Sequence, residues 1–508
     1  MSNKHGTPSG HAAVKLSAAT LSSLKASPKS AKVPTPSYDR KALREGIVHF
    51  GVGGFHRAHL AVYIDALIRE HGVKDWAICG VGLMPGDAAM RDALVSQDGL
   101  YTVIERSAAG ESPRVIGSLT SYLFAPADPE AVIAKLASPS TRIVSLTITE
   151  SGYYTSEATG ELDTTHPDIA HDLSTDGAPR TVYGYIVAAL ARRRAAGLNP
   201  FTVMSCDNVQ QNGHMVRRML LSFARGRDQA VAEWLAAKGA FPNSMVDRIT
   251  PRTTPENKRG LERDFGIDDA WPVVSEPFLQ WVIEDAFSDG RPDWEKVGVQ
   301  MVDEVEHYEL MKLRLLNASH SAMGYLGHLA GYTYIHEVIN DPQFNRYIRA
   351  LMKEEVRPLL PAIAGIDLDA YCATLIERFA NPTIQDQVMR ICLDGSGKIP
   401  KFVLGSVRDQ LARPNPSLRR LSLCVASWFR FLTGVDENGK AFPIEDPLAA
   451  QLQAAAKKGG KDPAALLAIR QVFGDDLPKA QPFVDEVCRA LVSLYDDGAR
   501  ATLAKYLE

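Results

Sequence analysis

The chain has 508 residues, and at ~150 residues per domain this length implies two or three domains and excludes a peptide ligand or a lone binding module. Hydrophobic residues make up 45% and charged residues 23%, and 56 basic against 60 acidic side chains leave a net charge of −4. These values exclude collagen, coiled coil and wholesale disorder, and they lack the basic excess of a nucleic-acid or membrane-surface binder. The expected partner is a small molecule, and the expected assembly is a monomer or small homo-oligomer.

Six cysteines (Cys79, Cys206, Cys372, Cys392, Cys424, Cys488) are scattered without a CxxC pair, the usage of a reduced, cytoplasmic protein. No window of ~18 apolar residues occurs, so no membrane span is expected. The first 35 residues hold five lysines and no acid but lack the apolar core of a secretory signal, and they read as a polar tail, with an organellar transit peptide as the alternative.

In chain order, residues 1 to 12 form a tail of Ser, Gly, Pro and His. Val14, Ala18, Leu21 and Leu24 recur at helical spacing and predict a short amphipathic helix docked on the body. Ser27 to Ser37, with Pro28, Pro34 and Pro36, is an extended connector. Strand-like runs follow at Ile47 to Val52, Trp76 to Val81, Tyr101 to Ile104, Val115 to Leu119, Ile143 to Ile148, Thr202 to Ser205 and Val273 to Val274. Helical stretches such as Ala58 to Glu70, Thr181 to Ala196 and Gly213 to Arg225 separate some of them, which predicts a mainly parallel α/β sheet. From about Val302 onward helical periodicity dominates (Glu309 to Gly331, Pro342 to Leu359, Leu418 to Thr433, Ala464 to Val472, Phe483 to Tyr495). The expected organisation is a tail and short helix over 1–37, a Rossmann-like α/β domain over 38–301, and a mainly helical catalytic domain over 302–508.

The first strand runs into Gly51-Val52-Gly53-Gly54-Phe55-His56-Arg57, with a helical pattern behind it. These are the first two glycines of G-x-G-x-x-G in the required strand-to-helix setting, the one for a tight turn and the other for close approach of a pyrophosphate. His56 stands where the third glycine would be. Gly54 is expected to permit a shifted turn, and His56 or Arg57 to face the phosphates. Asp87, in Leu83-Met84-Pro85-Gly86-Asp87 after the second strand, is a candidate acceptor for the adenosine ribose hydroxyls of NAD, repelling the 2′-phosphate of NADP. It lies 36 residues after Gly51, farther than is usual, and capping of the helix that begins at Ala88 is the competing reading.

The richest segment is Tyr308 to His320. At ~100° per residue, Glu309, Lys312, Asn317 and His320 share an arc of roughly 140°, with Met311, Leu315 and Ala318 on the opposite side. Tyr308-x3-Lys312 also matches the spacing of short-chain dehydrogenases, but it lies more than 250 residues beyond the glycine turn, outside that family's layout. No Cys/His/Glu grouping at zinc spacing occurs, so no metal is expected.

Gly51-Val-Gly-Gly-Phe-His-Arg-Ala-His59, Ser145-Leu-Thr-Ile-Thr-Glu-Ser-Gly152, Met204-Ser-Cys-Asp-Asn208, Phe241-Pro-Asn-Ser-Met-Val-Asp-Arg-Ile-Thr-Pro251 and Lys312-x4-Asn317-x2-His320 together resemble the polyol-specific long-chain dehydrogenases/reductases. The likeness extends from about Leu16 to the last helix. It implies zinc-independent hydride transfer between NAD and a secondary alcohol of a polyol, with D-mannitol to D-fructose the leading expectation. D-arabinitol, D-sorbitol and hexuronate (fructuronate) are sibling specificities. It further implies Lys312 as general base and acid, Asn208 and Asn317 as donors to the reacting oxygen, and His320 as a substrate-orienting group. Glu150 would exchange the proton of Lys312 with water. Asp247, Arg390 and Lys398 would contact the polyol, and Glu309 would stand near the entrance. A catalytically silent NAD-binding sensor is the remote alternative, and the intact Lys312, Asn317 and His320 set argues against it.

Overall fold

The computed structural model describes residues 13–156 and 159–507. The chain divides after Val305 into two compact units.

The first unit is built on a five-stranded, all-parallel sheet. Its strands are β1 (Glu45–Phe50), β2 (Ala77–Gly82), β3 (Leu119–Phe124), β4 (Ile143–Leu146) and β5 (Thr202–Ser205), in the spatial order β3-β2-β1-β4-β5. Val48 pairs with Cys79 on one side and Val144 on the other, and Ser145 pairs with Met204. Central parallel strands are covered on both faces, which is why these segments are nearly continuous Val, Ile, Leu, Ala and Cys instead of alternating with polar residues. Successive residues enter different cores: Val48, Phe50 and Val144 pack with the helices Val182–Ala195 and Asn212–Arg227, whereas Ile47, Ile78 and Ile143 pack with Leu60–His71. Each large apolar side chain so buried stabilises the unit by ~1.5–3 kcal/mol before entropic costs.

Several sequence expectations change here. Val14–Lys15 is a strand paired in parallel with Ile267–Asp268, and the helix is confined to Leu21–Ala26 behind a short 3₁₀ turn. The apolar spacing reports docking, since Leu16 and Leu24 are both buried with Leu261 and Ile267, but the extended Ser17 interrupts any helix through Val14. In the connector, bonds from Ala31 N–H to Ser27 O and from Val33 N–H to Ser30 O form turns before the chain extends. Val115 to Leu119 is not one strand. Gly110–Ile116 forms a hairpin with Tyr101–Ser107, and after a break at Gly117, whose N–H donates to Asp65 Oδ1, Leu119 starts β3. The short strands Ser244–Asp247, Gln280–Glu284 and Gln300–Val302 form a further mixed sheet that periodicity did not reveal, because runs of three to five residues carry little pattern.

The second unit is helical. Among its described residues the only β features are the isolated bridges Tyr334↔Gln387 and Val435↔Ala441. Arg419–Phe431 packs against both Ala318–Leu329 and Gln481–Asp496. The long helix starting at Glu306 is not uniformly α: Lys312–Asn317 is a π turn between the α segments Glu306–Met311 and Ala318–Leu329. Two more π turns occur at Leu351–Val356 and Pro400–Leu404. The last begins at a proline, which has no N–H for the helical ladder. No described helix is long and apolar enough to cross a membrane.

Candidate active site

The strand order reverses direction between β1 and β4, and in such sheets ligands bind outside the carboxyl ends of the strands at that switch point. Gly51 follows β1, Asp87 follows β2, Glu150 follows β4 and Asn208 follows β5, so these four lie at the carboxyl ends of the sheet's strands, while Asp247 ends a strand of the separate mixed sheet.

Gly51 has φ +88°, and a Cβ there would lie 2.1 Å from Thr147 O, so only glycine can make this turn. Gly53 is exposed, and a Cβ on it would meet nothing closer than Gly51 O at 3.9 Å. This is the open backbone surface a pyrophosphate needs, at a helix start where Gly53 supplies no side-chain cap. A Cβ on Gly54 would meet Thr250 and Val273 at ordinary contact distance, 3.5 and 3.6 Å, so the local backbone does not require glycine there.

The third glycine of the fingerprint normally allows the helix to pack tightly on the strand. Here two imidazoles do that work: His56 stacks on His49 of β1 with ring centroids 3.4 Å apart and planes within 13°. His49 Nδ1 lies 2.8 Å from the Ser145 hydroxyl and Nε2 lies 2.9 Å from the Thr147 hydroxyl. Burial drives both histidines toward the neutral form, His49 down to about 3 and His56 well below the usual histidine range. Neither ring nitrogen of His56 meets a hydrogen-bond partner. Arg57 differs from its expected role. It donates to Trp271 O and to Gly53 O (3.3 Å), and its guanidinium lies over Tyr101, so it braces the turn from inside instead of extending toward a phosphate. Val52 is buried beneath the turn, and Phe55 stacks on His59.

Asp87 does not cap the helix at Ala88 with its side chain. Its Oδ2 accepts the Met84 N–H at 2.9 Å, and a Cβ on Gly82, the last residue of β2, would lie 2.9 Å from Asp87 Cβ. The carboxylate therefore sits over the end of β2, where an adenosine ribose acceptor belongs.

Glu150 and Asn208 are exposed, and Asp247 is buried at the end of its short strand. Asn212, which no motif indicated, links these loops: its Nδ2 donates to Asp207 O and Ser244 O, and its Oδ1 accepts the Ser244 N–H.

In the second unit Lys312, Glu309 and His320 are buried, at 7%, 6% and 9% exposure. The π turn alters the predicted arc. Its i→i+5 bonding carries Asn317 nearly over Lys312, which tightens the polar face relative to an ideal α-helix. Asn317 Oδ1 is buried without a hydrogen-bond partner, and the His320 ring packs against Phe379 at 4.6 Å. Arg390 is tied bidentately to Asp386, at 2.6 and 2.7 Å, and Lys398 Nζ donates to Ile391 O at 3.2 Å.

Two family models match, the mannitol dehydrogenase Rossmann domain over residues 45–296 and the mannitol dehydrogenase C-terminal domain over 304–495. The chain belongs to the mannitol dehydrogenase family. Mannitol 2-dehydrogenase of Phaeosphaeria nodorum is 58% identical over 97% of this chain and 86% of that protein. The enzyme of the same name from Aspergillus clavatus is 57% identical over 98% of this chain and all of its own length. Among solved structures, Pseudomonas fluorescens mannitol 2-dehydrogenase in ternary complex with NAD and D-mannitol is 47% identical, with a TM-score of 0.86 over 97% of this chain and 99% of that one. A substrate-free D-sorbitol dehydrogenase is 38% identical, with a TM-score of 0.89 over 96% of this chain and 100% of that one.

Proposed function

We propose that this member of the mannitol dehydrogenase family oxidises D-mannitol to D-fructose reversibly with NAD. The observation that carries the reading is the likeness, over 97% of the chain, to a protein solved with NAD and D-mannitol. The residues present fit a dinucleotide: Gly51 makes a turn no other residue can make, Gly53 leaves its backbone open, and Asp87 stands over the end of β2. The backbone of Gly51, Gly53 and Gly54, with Asp87, would hold NAD, which supplies the hydride acceptor when bound, while Val52, His56 and Arg57 pack behind the turn.

The chain's own part is to bind, orient and move a proton. Lys312 takes the proton of the reacting hydroxyl during oxidation and returns it during reduction. Asn208 and Asn317 donate to that oxygen as charge develops, an effect commonly worth ~3 kcal/mol for each such donor. His320 orients a substrate hydroxyl, and Glu150 passes the proton on to water. Asp247, Glu309 and Lys398 contact or flank the polyol. Arg390, paired bidentately with Asp386, is assigned the same part. We also place the protein in the cytoplasm, a reading supported by its six free cysteines.

D-sorbitol is the second reading, favoured by the fold shared with a D-sorbitol dehydrogenase. Initial rates with D-mannitol, D-sorbitol, D-arabinitol, D-fructose and D-fructuronate separate the specificities. D-Mannitol with NAD is expected to give the highest kcat/KM of the three polyols, and a preparation that reduces NAD with none of them contradicts the proposal.

A further inference from the structure

Thr149 holds φ +62° and ψ 169°, a region that is essentially reserved for glycine and is strained for a β-branched side chain. The surroundings must enforce it. The neighbour that does so is Asp207, 8% exposed, at the end of β5. Its Oδ1 accepts the Thr149 N–H at 2.9 Å and its Oδ2 accepts the Ile148 N–H at 3.1 Å. Oδ2 also accepts the Tyr153 hydroxyl at 2.8 Å, and Tyr153 lies within 2.6 Å of the Ser205 hydroxyl. One buried carboxylate thus joins the loop after β4 to the loop after β5. Glu150 follows the strained residue directly, and Asn208 follows the clamp directly.

We propose that Asp207 is a positioning residue, which fixes Glu150 and Asn208 relative to one another by holding Thr149 in a conformation the chain would otherwise leave. This rests on the roles given above to Glu150 and Asn208. Asp207 touches no reacting atom. Its effect is on where the proton acceptor and the oxygen donor stand, so its loss lowers the rate of proton release and chemistry while cofactor affinity stays as it was. Glycine at position 149 adopts the observed backbone without strain, so it replaces part of what the clamp enforces.

The test compares Asp207→Ala, Asp207→Asn, Thr149→Gly with Asp207→Ala, and Glu150→Gln. For each, kcat with D-mannitol is followed across pH, and NAD Kd is measured by titration of the folded protein. Asp207→Ala is expected to lower kcat at least tenfold and displace its pH profile in the same direction as Glu150→Gln, with NAD Kd within twofold. Adding Thr149→Gly is expected to restore kcat severalfold. If Asp207→Ala does not fold, Asp207→Asn, which keeps one acceptor, decides with the same signature at smaller amplitude. An unchanged kcat and pH profile in a folded Asp207 variant overturns the proposal, and absence of rescue by glycine overturns its strain component. If Glu150→Gln itself leaves rate and profile unchanged, the reading of Glu150 fails first and the positioning claim falls with it.

Discussion

Asp87 is the side chain proposed to set the coenzyme preference. It lies over Gly82, and its bond to the Met84 N–H holds it at the end of β2 without using its charge. A carboxylate there accepts from ribose hydroxyls and repels a 2′-phosphate. Serine at this position still accepts the Met84 N–H but carries no charge, so Asp87→Ser is expected to lower the ratio of kcat/KM for NAD over NADP at least tenfold. An unchanged ratio would leave Asp87 with only the closure of its turn. The residue type and its place after the second strand were legible in the sequence. That it bonds back to Met84 and does not cap the next helix was not, because both arrangements put an acid at the same point of the chain. Arg57 is a similar case: its position in the glycine turn pointed outward, and only the packing of Trp271 and Tyr101 around it turned it in.

Between elements, the contact of β1 with the helix that follows depends on stacked, neutral imidazoles. Both histidines have pKa values depressed by burial, so the unfolded chain binds protons that the folded one does not as pH falls below about 6.5. Stability contributed by the pair is therefore full above that pH and is lost on acidification toward about 3, where His49 itself titrates. Each neutral histidine adds a slope of about 1.4 kcal/mol per pH unit. Urea unfolding between pH 6 and 5 is expected to show that slope reduced by about this amount in His56→Phe, and an unaltered slope would mean that His56 is protonated in the fold. The glycine fingerprint disclosed the turn but not this pair, since a histidine in the third glycine's place reads equally as a ligand or as packing. The π turn at Lys312–Asn317 was hidden for a related reason. Helical periodicity assumes 3.6 residues per turn, and the inserted register brings Asn317 toward Lys312 without changing which residues are polar.

For the molecule as a whole, long elements were legible and short ones were not. Alternating apolar runs and helices disclosed the parallel sheet, and sustained helical periodicity disclosed the second unit. The strands Ser244–Asp247 and Gln280–Glu284, and the clamp from Asp207 to Thr149, depend on contacts between distant segments that no local pattern records. The net charge of −4 is compatible with a neutral polyol, which needs no electrostatic steering. The proposed cofactor and proton-transfer residues also fall in separate units, which makes the central claim separable: the glycine turn and Asp87 belong to the first, and Lys312, Asn317 and His320 to the second. The most direct measurement is the turnover of Lys312→Ala with D-mannitol and NAD, alongside its NAD dissociation constant. The expected result is a kcat lowered by at least a thousandfold, about 4 kcal/mol of transition-state stabilisation, with NAD still bound; turnover equal to that of the unaltered protein would contradict the assignment of Lys312 as the proton acceptor.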